Sequence, residues 1–352
     1  MIKPLNESDF APVGISRRAL SFFGAAAMTV FGNTEGMSSH DEELPPGVTP
    51  TSPQERRVGI GYALWHYDAD EWKAAWGHPK LGNYMSSDPA VMRKHGEWLA
   101  DAGVDFILLD WSNSLGSDDR SGQGNPKQIQ LERWTKVLFT EWAAMPHHPR
   151  ISIMIGNPLE PAAVSNGHLQ EKADQIYDEF VKDPGTRALL EIYLGKPLLV
   201  VYVNTPSPYP HGVPAWSDPR FTVRWMTGFM TEQPNLVSGD VSRYGYWSWE
   251  DQGRPTFSVF QGHPESMVVV AAWRNSRGHP TRGRQSGQTF RDEWAWARAI
   301  GPRFVIAGTF NEWRRGEQPS ADVSKDIEPS TEFGEQYLKI LKLEAARFKA
   351  GR

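Results

Sequence analysis

Cysteine is absent from this chain of 352 residues. That excludes disulfides, thiolate metal centres and a cysteine nucleophile. Long basic runs are missing too, and the net charge is −5, so nothing marks a nucleic-acid groove. No stretch is long and apolar enough to span a bilayer. The chain lacks HExxH, a DxDxDG loop, GxSxG and a Gly-rich phosphate loop after its first apolar run. No metal, cofactor or protein partner is therefore expected. The paired histidines of "PHHP" (146–149) fall in a helix–strand turn, away from where a barrel does its chemistry.

Aromatic residues are plentiful instead: 15 Trp, 10 Tyr and 16 Phe. Indole faces stack on sugar rings, and they also fill cores. Hydrophobic residues at 39% and charged residues at 22% fit a globular domain, and the length allows one large α/β barrel.

The first 35 residues read as an export leader. In "ISRRALSFFGAAAMTVFG" (15–32), Arg17 and Arg18 precede an apolar stretch with small residues at Ala25–Ala27. That is the layout of a twin-arginine signal, and the expected location is periplasmic or extracellular. The other reading is a leader whose arginine pair is incidental. Residues 36–57 are polar and Pro-rich and read as linker, leaving 58–352 as a single domain.

From Val58 onward, apolar runs alternate with helical patterns. Strands are expected at 58–67, 105–112, 151–158, 197–205, 221–229, 244–251, 266–274 and 303–313. They are apolar nearly throughout, as strands covered on both faces should be. Helices are expected at 88–103, 125–145, 166–183, 289–301 and 330–350. Asp88 followed by Pro89 is a helix start, and Gly103 and Gly301 are stops. Eight strand runs with intervening helices predict a (β/α)₈ TIM barrel. The helices between strands are least clear at 205–221 and 229–244. A doubly wound open sheet is the alternative, without the glycine loop that would support it.

Catalytic groups of such barrels sit where strands end. The expected ends carry Trp65, His66 and Tyr67; Asp110, Trp111 and Asn113; Asn157; and Tyr202 and Asn204. Later ends carry Trp247, Trp249, Glu250 and Asp251; Trp273 and Arg274; and Asn311, Glu312 and Trp313. Asp110 follows "FILL" and can orient a hydroxyl, move a proton, hold another catalytic group, or simply be a paired buried carboxylate. Glu312 stands between an amide that can fix it and an indole that can exclude water, which would suit acid–base work. Glu250 or Asp251 can supply a second carboxylate. His66 is a hydrogen-bond donor to substrate or a structural histidine. Arg274, Arg314 and Arg315 can meet an anionic ligand or lie in solvated loops.

The segment "AGTFNEWRRGEQPS" (307–320) resembles the last strand of glycoside hydrolase family 99-like proteins, and "HGEWLADAGVDFILLDWSN" (95–113) their second helix–strand unit. The resemblance implies a (β/α)₈ barrel over 58–350 that acts on carbohydrate. In endo-acting members, two glutamates three residues apart carry out cleavage of α-mannosides. The first matches Glu312. The second falls on Arg315, so its work would pass to Glu317, Asp110, Glu250 or Asp251. The reading expected here is a glycosidase with Glu312 as acid or base and tryptophans lining the sugar subsites. A lyase on uronate polymers, with Tyr202 taking the proton, and a non-catalytic glycan-binding barrel are the alternatives.

Overall fold

A computed structural model describes residues 44, 46–156, 166–203, 216–228, 246–249, 256–273, 281–313 and 320–352. The leader expected over 1–35 lies outside them. One compact unit spans Glu42–Arg352.

Ten strands are present among the described residues: β1 Arg57–Tyr62, β2 Phe106–Trp111, β3 Arg150–Ile155, β4 Ile192–Tyr193 and β5 Lys196–Val203; then β6 Thr222–Thr227, β7 Trp247–Ser248, β8 Phe257–Phe260, β9 His263–Val268 and β10 Phe304–Thr309. The hydrogen-bonded order is β7-β6-β5-β3-β2-β1-β10-β9-β8, with β4 beside β5. Eight of these strands are parallel to their neighbours and correspond to the eight expected runs. They form a nearly closed barrel, as the alternation of elements predicted.

β4 and β8 are additions that the strand pattern missed. Each is an antiparallel partner joined by a two-residue turn, Leu194-Gly195 before β5 and Gln261-Gly262 before β9. All four turn residues have positive φ, the tight-hairpin geometry that suits strand twist. An X-Gly pair between short apolar runs was the available signal.

Helices α1 Pro89–Asp101, α2 Pro126–Ala143, α3 His168–Ile176, α4 Pro184–Arg187, α5 Gln288–Ile300 and α6 Gln336–Lys349 follow. Their starts are chemical. Asp88 accepts from the Ala90 amide and Asn125 from the Lys127 amide, each ahead of a proline in the first helical turn. Gly301 closes α5 in the left-handed conformation. The connections over 204–215 and 229–245 lie outside the described residues.

Two apolar layers result. On β2, Ile107, Leu109 and Trp111 face the helices, while Phe106 and Leu108 face the barrel interior. Asp110 shares the inward parity of the second pair. Closure between β7 and β9 is made by side chains: Glu265, 2% exposed, accepts from Trp247 Nε1 (2.9 Å), Arg224 Nε (2.7 Å) and Tyr193 Oη (2.9 Å). From Thr49 onward, the stretch read as linker is hydrogen-bonded to the barrel. Thr49 donates to the Gly262 carbonyl and Thr51 to that of Gly301.

Candidate active site at the barrel mouth

β10 ends at Thr309, and the chain turns through Asn311, Glu312 and Trp313. Further along the chain, residues 327–328 lie alongside it: the Ile327 amide donates to the Thr309 carbonyl (3.2 Å) and that of Glu328 to Phe310 (2.9 Å). This pairing places Asp326 beneath Glu312. Asp326 Oδ1 accepts from the Glu312 amide (2.6 Å) and the Thr309 hydroxyl (2.8 Å), and Oδ2 accepts from Ser324 Oγ (2.5 Å). It also brings in Lys325, whose Nζ lies 2.8 Å from Glu312 Oε2.

The supports expected for Glu312 do other work. Asn311 Oδ1 accepts from the Ala63 amide and its Nδ2 donates to the Ala63 carbonyl, a clamp on the chain leaving β1. Trp313 is 1% exposed, and its Nε1 donates to Glu328. Its φ of 43° is left-handed, and a Cβ on Gly77 would lie 2.3 Å from Cζ3 of its ring. Glu328 also accepts from Tyr84 Oη (3.0 Å) and contacts His95 Nε2 (3.0 Å). The Asn311 amide and the Trp313 Nε1 are thus engaged with Ala63 and Glu328. Lys325 meets the carboxylate and Asp326 holds the Glu312 backbone amide, and the sequence reading passed over both.

Asp110, next to last in β2, has inward parity and accepts from the Ser112 amide at 2.8 Å. Burial pushes its carboxyl above the ordinary range, against Ser112 and the Lys325 charge, which lower it. β2 and β10 both pair with β1, so Asp110 and Glu312 sit at the ends of the two strands flanking it. Burial pulls Lys325 down to about 7, opposed first by Asp326 and then by Asp110. A lysine that senses both strand ends joins the two carboxylates electrostatically.

The aromatic residues divide. Trp65 is partly exposed and donates from Nε1 to the Glu312 carbonyl at 3.2 Å. Trp249 rests where a Cβ on Gly61 would be 2.4 Å from its ring, and Lys325 Nζ is 5.5 Å from the ring centroid. Trp273 and half-buried Tyr202 pack with the interior cluster. Trp249, Trp273 and Tyr202 thus lie on the interior side of the barrel, and Trp65 lies beside Glu312.

Four others do not face the mouth. Trp111 is fully buried on the helix side, with Nε1 donating to Thr135 Oγ1 at 2.9 Å. Trp247 is buried inside the barrel against Phe304. Tyr67 turns to α2, its hydroxyl donating to the Lys127 carbonyl. His66 is 1% exposed, stacked on Trp72 and in contact with the Asn311 carbonyl. Parity turns Trp111 outward, and β1 stops at Tyr62, short of the expected end at 67 that would have carried His66 and Tyr67. Asn113 is exposed beyond β2. Asn157, Asn204, Glu250, Asp251, Arg274, Arg314, Arg315 and Glu317 lie outside the described residues. In the acidic group Asp118, Asp119 and Glu132, each carboxylate has its own cation: Arg120, Lys136 and Lys172, at 2.9, 2.7 and 2.6 Å.

Among solved structures, this chain is similar to the GH99 endo-alpha-mannosidase of Bacteroides thetaiotaomicron, at 17% identity and a TM-score of 0.55. The match covers 84% of this chain and 98% of that one. The chain shares that barrel fold. A second structure of that enzyme, with bis-tris propane, gives a TM-score of 0.56 at the same identity and coverage. A glycoside hydrolase-like protein gives 0.50 at 15% identity, covering 86% of this chain and 96% of that one. No family model matches the sequence. No curated protein matches it either. The fold is thus glycoside hydrolase-like, and no helix among the described residues is long and apolar enough to cross a membrane.

Proposed function

We propose that this protein is a carbohydrate-active hydrolase of glycosidic bonds, with Glu312 and Asp110 as its two working carboxylates. The observation that carries the reading is the pairing of unlike environments at the ends of the two strands that flank β1. Asp110 is pushed toward its acid form by burial, while Glu312 lies against an ammonium 2.8 Å away. Hydrolysis of a glycosidic bond uses one carboxylic acid to protonate the leaving oxygen and one carboxylate to support attack at the sugar carbon. Trp65, Trp249 and Trp273 supply ring faces for the sugar. The barrel's likeness to an endo-alpha-mannosidase makes α-mannans the first substrates to try, although the family's second glutamate is replaced by Arg315. Export is part of the same reading and rests on Arg17, Arg18 and the apolar stretch after them. Its test is a reporter fusion that stays in the cytoplasm when both arginines become lysine.

The test of function is a reducing-end release screen on α-mannans, α-glucans and acidic glycans, with Glu312→Gln beside the native protein. Product from the native chain, reduced at least ~100-fold in the variant, is the expected result. Saturable binding without product would mean a glycan-binding barrel. An ultraviolet-absorbing unsaturated product would mean a lyase, and either outcome overturns the proposal.

A further inference from the structure

Lys325 belongs to none of the strand-end motifs. It enters the mouth because the segment that follows it hydrogen-bonds back onto the end of β10. Its side chain is 11% exposed, and that of Glu312 is 16% exposed. Among the described residues, the charged groups recorded around its ammonium are Glu312, in direct contact, and Asp326 and Asp110 within electrostatic reach. Trp249 presents its ring face on another side. A buried ammonium without such partners loses its proton; here Asp326 and Asp110 work against that loss, and Glu312 is in direct contact.

We propose that Lys325 is a positioning residue: its ammonium fixes the Glu312 carboxylate in the mouth and leaves the mobile proton to Asp110, an inference that rests on the hydrolase reading. The geometry gives Lys325 two consequences. A carboxylate bridged at 2.8 Å is held in one rotamer, so the lysine limits where Glu312 can reach. A lysine brought down to about 7 also gives up its charge within the neutral range. Above that pH, Glu312 loses its bridge, and turnover falls on the alkaline side.

The experiment has an arm that needs no substrate. In full-length protein with ¹³C,¹⁵N-labelled lysine, the Lys325 signal, assigned by its loss in Lys325→Arg, is titrated in the native, Glu312→Gln and Asp110→Asn proteins. Lys325 is expected to titrate well below the surface lysines, and to fall by about one further unit or more in Glu312→Gln. Titration with the surface lysines, indifferent to Glu312→Gln, would overturn the proposal.

The second arm uses whichever of the α-mannans, α-glucans or acidic glycans gives product in the screen. There kcat is expected to drop at least ~30-fold in Lys325→Met with KM changed less than about threefold. In Lys325→Arg, which stays charged, the alkaline limb should move up by about two pH units or more. A Lys325→Met protein that is less stable but has unchanged kcat and pH profile would show a merely structural lysine and overturn the proposal. Coupling of Lys325 to Glu312 without any turnover would support the ion-pair role and overturn the hydrolase reading.

Discussion

One oxygen of Asp326 accepts both the Thr309 hydroxyl, at 2.8 Å, and the Glu312 amide, at 2.6 Å. The same residue heads the groups that favour the Lys325 charge. It therefore fixes the backbone of one mouth residue and the charge of another. Asp326→Asn is expected to lower kcat/KM at pH 7 by at least ~10-fold and to move the alkaline limb to lower pH. Thr309→Val, which removes one donor and no charge, should leave the limb in place. Steady-state rates across pH on the glycan found by the screen check both.

Glu328 collects Trp313 Nε1, Tyr84 Oη and His95 in a site closed to water. Glu328→Ala strands these groups, and the cost expected from unpaired buried donors is about 3 kcal/mol. Glu328→Gln keeps an acceptor and should cost less. Urea unfolding of the two variants gives the comparison, and equal losses would mean that packing, not hydrogen bonding, matters there.

The Glu312–Lys325 pair has a stability side as well. Removing Lys325 alone takes an ammonium away from a largely buried carboxylate, so Lys325→Met is expected to destabilise by about 2–4 kcal/mol. Replacing both, as Glu312→Leu with Lys325→Met, should recover most of that loss while abolishing turnover. Denaturant midpoints of the single and double variants decide it. A double variant as unstable as the sum of its singles would show no coupling.

Gly77 makes room for the Trp313 ring, where a Cβ would sit 2.3 Å from Cζ3. Gly77→Ala should cost about 1–3 kcal/mol by overpacking. Because Trp313 follows Glu312 directly, turnover should fall further than stability alone explains. Thermal melts together with kcat separate the two effects.

Glu191 lies 5% exposed, and burial raises its carboxyl from 4.5 to about 7, with Arg57 and Arg150 pulling it down. The folded chain holds this proton more tightly than the unfolded chain. Glu191 thus favours folding at low pH, and that contribution is lost as pH rises from about 4.5 through about 7. Glu191→Gln is expected to stabilise the protein by about 1–3 kcal/mol at pH 8 and by almost nothing at pH 4.5. Calorimetry at the two values tests it, and an equal gain at both would exclude titration as the cause.

The sequence by itself determined the barrel. Runs such as "FILLDW" and "FVIAGT" are apolar at every position because both faces of a parallel strand are covered, and Asp88-Pro89 and Asn125-Pro126 mark helix starts through local hydrogen bonds. Asp110 and Glu312 were legible as strand-end carboxylates for the same local reason. What surrounds them was decided only in three dimensions. The inward parity of Asp110, the outward turn of Trp111 and the burial of Trp313 depend on the residue at which each strand stops. Lys325, Asp326 and Glu328 follow Glu312 by more than ten residues and reach it only through the return of their segment onto β10. Hydrophobic periodicity follows neighbours along the chain, whereas an ion pair between residues further apart depends on where the backbone comes back.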